Sequence, residues 1–279
     1  PKEIKEDEYR VGIVPAGVKD LVSNGHRVLV EKNAGIGSGI FDVEFKIEGA
    51  EILNNPADIY SKAEMIMKVK EPLKSECEYL RKGQILYAFL HLAPAKELTE
   101  TLLNKGIIAI AFETVELEDG SLPLLIPMSE VAGRMAIHEG AKYLEREKGG
   151  RGILLGGVPG VKPGNVVILG GGIVGSNAAR MAIGTGAKVT LLDINLKKLR
   201  YLDDVFGGRI TTLSSNSHNI IESIEKADLV IGAILITGAK APKLITRKRL
   251  KRMQKGSVII DVCIDQGGSL ETSRPTTHS

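Results

Sequence analysis

Residues 165–193 read NVVILGGGIVGSNAARMAIGTGAKVTLLD, and this stretch decides the fold. NVVIL is a continuous apolar run of strand length, the pattern of a strand buried on both faces in a parallel sheet. It runs into Gly170-Gly171-Gly172-Ile173-Val174-Gly175, after which residues 176–185 continue as a helix that Gly186 can end. Gly170 permits the tight turn, Gly172 lets backbone approach a pyrophosphate, and Gly175 lets the helix lie close on the sheet with its first amides facing the anion. A second strand, 188–192, then closes on Asp193, at the separation expected of a carboxylate that accepts hydrogen bonds from a ribose. Strand, glycine turn, helix and acid coincide, which identifies a nicotinamide-dinucleotide site. The acid disfavours the extra phosphate of NADP, with Lys197 and Lys198 close by and no Arg directly after Asp193. A flavin or nucleoside-phosphate site on the same fold is the alternative.

Outward from there, strand and helix alternate regularly, with further strands at 229–232 and 257–261. Upstream, Pro15 opens a helix that Gly25 can close, 26–31 reads as a strand, and 65–69, 84–88 and 107–112 read as buried strands. Polar residues follow three of these runs at once: Lys70 and Glu71, His91, and Glu113. Ligands of open parallel sheets bind outside the carboxyl ends of the strands, so chemistry is expected there. Between the halves lie an acidic turn at 116–120, a helix capped by Ser129 and running to about Glu145, and the glycine-dense connector 149–164. The expected fold is α/β in two domains. Residues 1–124 form an α/β substrate domain, and 125–279 form a doubly wound, Rossmann-type NAD-binding domain of related topology.

The 279 residues carry 37 basic and 34 acidic side chains, a formal net charge of +3, dispersed along the chain. That balance gives no reason to expect nucleic acid. The basic run at 243–255 reads as a solvated helix face. The two cysteines, Cys77 and Cys263, lack histidine at any metal-like spacing, so no metal site or disulfide framework is expected and a cytoplasmic protein with reduced thiols is. No apolar run reaches the roughly 20 residues that a membrane span needs.

Several residues have two readings. Lys70 ends an apolar strand, where partial desolvation favours an anion or a polarised carbonyl, or else an ion pair with Glu71 or Glu76. His91 in Phe89-Leu90-His91-Leu92-Ala93 is either a core histidine or a proton carrier at a strand end. Arg10 has the bidentate geometry a carboxylate substrate wants, but its charged surroundings also suit a surface residue. Asp265 precedes Gly267-Gly268 and is either a turn cap or a ligand-facing acid. Histidines 26, 138, 218 and 278 receive no role.

Several blocks in order resemble the NAD-dependent alanine dehydrogenases: PKEIKEDEYRVGIVPAGV at 1–18, KVKEP at 68–72, FLHLA at 89–93 and PMSEVAGR at 127–134. GGRGILLGGVPGV at 149–161, GAKAPKL at 238–244 and IDQGG at 264–268 extend the likeness over essentially the whole chain. The resemblance implies reversible, NAD-dependent oxidative deamination of L-alanine to pyruvate and ammonia by an amino-acid dehydrogenase that assembles as a homo-oligomer, a hexamer in the family. It implies that Arg10 holds the substrate carboxylate, that Lys70 contacts the carboxylate and carbonyl region, that His91 is the acid/base and that Asp265 assists the water and ammonia steps. For the cofactor it implies Ser129, the loop with Gly170, Gly172, Val174 and Gly175, and Asp193, Lys198 and Ser215. The NAD-binding subunit of proton-translocating transhydrogenase shares this ancestry, but PMSEVAGR and the glycine-dense block look more like the dehydrogenase form. Against the family pattern the sequence is expected to be trimmed at both ends, lacking a first strand, an asparagine-bearing loop and a segment returning to the substrate domain. Exposed apolar surface is the expected consequence, and an NAD-binding fragment without turnover is the competing expectation.

Overall fold

The computed structural model describes residues 1–275; His278 and the ending 277–279 lie outside them. The chain divides into two compact units, Pro1–Leu122 and Pro123–Ser279.

The first unit alternates helices and parallel strands: α1 (Pro15–Ser23), β1 (Leu29–Glu31), α2 (Asp42–Ile47), β2 (Glu51–Leu53), α3 (Pro56–Lys62), β3 (Met65–Met67), α4 (Lys74–Cys77), β4 (Ile85–Ala88), α5 (Lys96–Lys105) and β5 (Ile108–Ala111). Strands β1 and β2 pair in parallel, and β3-β4-β5 form a second parallel sheet in that order. An open groove of about 540 Å³, lined by 28–30 and 64–67, lies between them. One core gathers Ile59, Tyr60, Ile66, Leu86, Leu90 and Leu102, and another Val18, Val30 and Phe45. Ile108 and Ile110 of β5 remain 53% and 37% exposed, so this edge strand presents apolar surface. The expected strands 26–31, 65–69, 84–88 and 107–112 are each shorter than read, and β2 is additional.

The second unit contains α6 (Ile126–Tyr143), β6 (Asn165–Leu169), α7 (Ile173–Gly184), β7 (Lys188–Asp193), α8 (Leu196–Phe206), β8 (Ile210–Ser214), α9 (Ser217–Lys226), β9 (Leu229–Gly232), α10 (Arg247–Leu250) and β10 (Val258–Asp261). Its five parallel strands are ordered β10-β9-β6-β7-β8. Chain order therefore runs one way from β6 and reverses at β9, which is the doubly wound arrangement with its switch point between β6 and β9. β6 and β9 are almost wholly buried, with Val166 and Ile168 on one face and Val167 and Leu169 on the other joining separate cores.

Two expectations are corrected. Ser129 does not cap its helix: α6 starts at Ile126 with Leu125 as N-cap, and the Ser129 amide already donates to the Leu125 carbonyl at 2.9 Å. Pro127 sets the helical φ in the first turn and pulls the start forward. The basic run 243–255 is not one amphipathic helix either. Only Arg247–Leu250 is helical, capped by Thr246, and a turn at Gly256 (φ 79°) follows.

Candidate functional site

The glycine loop sits at the carboxyl end of β6, at the switch point. Gly170 has φ 107°, a conformation that suits only glycine, and a Cβ there would stand 2.5 Å from the Ala233 carbonyl oxygen. A Cβ on Gly175 would lie 1.8 Å from the Gly170 carbonyl oxygen, so helix α7 packs against the turn itself. Gly172 is different: it caps α7 with extended backbone, and a Cβ would meet nothing within 4 Å. The protein leaves open space over the helix N-terminus, the place where an anion is stabilised by unpaired amides.

Asp193 ends β7 and is 8% exposed. Its Oδ2 accepts the Gly171 amide at 2.7 Å and its Oδ1 accepts the Asn195 amide at 2.8 Å, while Lys198 Nζ stands 3.8 Å from Oδ2. The carboxylate thus ties the glycine turn to the start of α8, whose N-cap is Asn195. Ser215 follows β8, and its amide donates to the Asp193 carbonyl at 3.0 Å. On the other side of α7, a Cβ at Gly133 of α6 would lie 2.2 Å from the Val174 carbonyl oxygen, and Arg134 Nε donates to Asn177 Oδ1 at 3.1 Å. Ser129 is buried one turn earlier on that helix, and Val174 lies in the first turn of α7. Asp265 lies in a short 3-10 turn, Val262–Gln266, directly after β10, and is exposed. The glycine loop, Asp193, Ser215 and Asp265 sit at or just past a strand's carboxyl end, whereas Ser129, Gly133 and Arg134 lie on α6.

The first unit collects a second group in the same way. Lys70, His91 and Glu113 follow β3, β4 and β5, which are neighbours in the sheet. The ladder continues past the strands, with the Lys68 amide donating to Tyr87 O at 3.0 Å and the Phe89 amide to Val69 O at 3.1 Å. This holds the segments of Lys70 and His91 side by side. Beneath them, Lys68 is fully buried and donates to Glu3 Oε2 at 3.0 Å and Glu76 Oε1 at 2.6 Å. Glu3 Oε1 in turn accepts the Val69 amide at 2.6 Å. Glu76 is thus the partner of Lys68, and Glu71 pairs with Lys5. Arg10 is half exposed, and its fork binds Glu8 through Nε–Oε1 at 2.8 Å and Nη2–Oε2 at 2.7 Å; that hydrogen bonding holds the Glu8 carboxyl low and raises the guanidinium.

His91 Nδ1 stands 4.0 Å from Glu71 Oε2, too long for a direct hydrogen bond. Burial by itself would raise the Glu71 carboxyl, but His91 and Lys5 outweigh it and hold the group at about 2. The His91 backbone is itself unusual, with φ 47°. Glu113 is visible in the sequence only as a polar residue after a strand, Glu71 also as a possible ion-pair partner of Lys70, and Lys5, Glu3 and Lys68 carry no sequence signal of a role. Their contacts are between residues far apart in the chain, with no local signal. Among the described residues no group of His, Cys, Asp and Glu could hold a metal ion, and no helix is long and apolar enough to cross a membrane.

Comparison with known proteins adds independent observations. Residues 1–132 match the family model described as Alanine dehydrogenase/PNT, N-terminal domain, and 136–279 match Alanine dehydrogenase/PNT, C-terminal domain. The chain is 61% identical over its full length to the alanine dehydrogenase of Methanococcus maripaludis, covering 75% of that protein, and 57% identical to that of Bacillus subtilis, covering 73%. A solved L-alanine dehydrogenase superposes with TM-score 0.89 at 52% identity, over all of this chain and 77% of the other. A transhydrogenase from Sinorhizobium meliloti superposes with TM-score 0.80 at 27% identity, covering 98% of this chain and 80% of the other. With both family domains matched and its whole length aligned at this identity, the chain belongs to the alanine dehydrogenase family.

Proposed function

We propose that this protein is an NAD-dependent alanine dehydrogenase of the cytoplasm, converting L-alanine reversibly to pyruvate and ammonia as a homo-oligomer, hexameric as the family resemblance implies. The observation that carries the reading is the full-length identity of 54–61% to alanine dehydrogenases. The transhydrogenase reading has weaker support, at 27%.

The residues fit the cofactor: open space above Gly172, a helix N-terminus, and an acid at the end of β7 beside the glycine turn. Gly170, Gly172, Val174 and Gly175 would hold the pyrophosphate, Asp193 and Lys198 the adenosine ribose, and Ser129 and Ser215 further polar contacts. When bound, NAD supplies the hydride acceptor. In the substrate unit, Arg10 receives the alanine carboxylate through the guanidinium edge that Glu8 does not use, and Lys70 contacts the carboxylate and the developing carbonyl. His91 removes a proton from the water that attacks the imine carbon and returns it to the nitrogen of the carbinolamine; as the C–N bond breaks and ammonia leaves, the hydroxyl proton passes to His91, which releases it to ammonia or solvent. The ionised Glu71 steadies the imidazolium form between these steps. Asp265 orients the water and ammonia.

Absorbance at the NADH band tests this, with pyruvate plus ammonium in one direction and alanine plus NAD at alkaline pH in the other. Turnover that Lys70→Ala and His91→Ala abolish supports the proposal. NAD binding without turnover in either direction would leave only the binding fragment.

A further inference from the structure

His91 has a left-handed backbone, φ 47°, a conformation strained for an L-residue other than glycine that persists only where its surroundings impose it. The imposing group is a carboxylate of the neighbouring segment. Glu113, 7% exposed just past β5, aims its carboxylate at the bend in the neighbouring segment. Its Oε1 accepts the His91 amide at 2.6 Å, and Oε1 and Oε2 both stand 3.2 Å from the Leu90 amide. The bend ends the β4 ladder, and Glu113 takes its two amides in place of a neighbouring strand. Phe112, next to Glu113, meets Phe89 edge-on with centroids 5.1 Å apart, and Phe89 lies parallel to the His91 ring at 6.1 Å.

We propose that Glu113 is a positioning residue for the reaction: its carboxylate clamps the Leu90 and His91 amides and thereby fixes the strained backbone that aims the His91 imidazole. Its carboxylate binds the Leu90 and His91 backbone amides, and its effect on turnover passes through His91. The inference rests on the reading of His91 as proton carrier.

The test compares the full-length protein with Glu113→Met, close in length but without acceptors, and Glu113→Gln, which keeps one acceptor. Amide hydrogen exchange across 89–92, read by mass spectrometry, reports the clamp; kcat and KM for pyruvate report its consequence. Glu113→Met is expected to exchange at 90–91 about 100-fold faster. Its kcat should fall by about 100-fold with KM little changed, the loss that a misplaced catalytic group of about 1 Å produces. Glu113→Gln should be intermediate on both scales, and serves alone if the Met variant does not fold. Unchanged exchange at 90–91 overturns the clamp. Faster exchange with wild-type kcat, while His91→Ala is inactive, overturns the positioning role. Turnover by His91→Ala overturns instead the reading of His91, and the exchange data then decide the clamp by themselves.

Discussion

Two glycines three residues apart in one loop are expected to respond oppositely to alanine. At Gly175 the added methyl lies 1.8 Å from the Gly170 carbonyl oxygen, and the backbone must retreat by more than an ångström to reach even the shortest ordinary contact of 3.0 Å. Both partners are main chain, so no side chain can rotate away. Overpacking of this kind costs about 3 kcal/mol, the upper part of the usual range. For a unit of this size that lowers the midpoint of thermal unfolding by about 6–12 °C. At Gly172 the methyl meets nothing within 4 Å, and φ of −72° suits any L-residue, so Gly172→Ala is expected to fold with unchanged stability. The space it fills is where the proposed function puts the pyrophosphate, against the helix amides. Displacing one or two charge-assisted hydrogen bonds weakens NADH by about 10- to 100-fold. Calorimetry on both variants, with NADH affinity from fluorescence titration, separates the two effects. Wild-type NADH affinity in Gly172→Ala would refute the assignment of this loop to the dinucleotide, and an unchanged melting point in Gly175→Ala would refute the packing argument.

Further expectations concern the surrounding charges. Lys68→Met strands the Glu3 and Glu76 carboxylates in the interior and should cost about 3–5 kcal/mol in urea unfolding; a loss below about 1 kcal/mol would mean the trio is relaxed by water. Asp193→Ala removes the acceptor of the Gly171 and Asn195 amides and leaves Lys198 without its acid. NADH affinity should fall about tenfold or more while NADPH gains relative to it, and an unchanged ratio would contradict the ribose role. Glu71 is depressed from an ordinary 4.5 to about 2, so its stabilisation is present above pH 4.5 and lost as pH falls towards 2. Wild type should therefore exceed Glu71→Gln in stability at pH 7, with the gap closing over that window; a gap that stays constant down to pH 2 would contradict the pairing with His91 and Lys5.

The nucleotide unit was legible because its signals are local. Apolar run, glycine spacing, helix period and terminal acid all lie within 165–193, and each acts on its neighbours in the chain. The strands missed were those without such signals. Ile210–Ser214 is threonine-rich and half exposed, and Glu51–Leu53 is only three residues long. A serine before an apolar run is a common cap and points to Ser129 as the start of α6, whereas Pro127 sets the turn two residues earlier. In the first unit the polar residues after β3, β4 and β5 can be picked out from the sequence, but not their partners. Which carboxylate meets Lys68, Lys5 or the His91 amide depends on tertiary packing, and three of these pairs join residues 22 to 66 positions apart. The positive φ of His91 had no sequence sign, since histidine rarely adopts it.

The central claim is hydride transfer from alanine to NAD, and isotope tracing tests it most directly. Incubated with L-alanine deuterated at Cα and NAD, the protein should form NADH carrying one deuterium at C4 of the nicotinamide, together with unlabelled-carbonyl pyruvate and ammonia in equal amounts. Pyruvate formed with the deuterium released to solvent, or no labelled NADH under conditions where NAD is bound, would contradict the account.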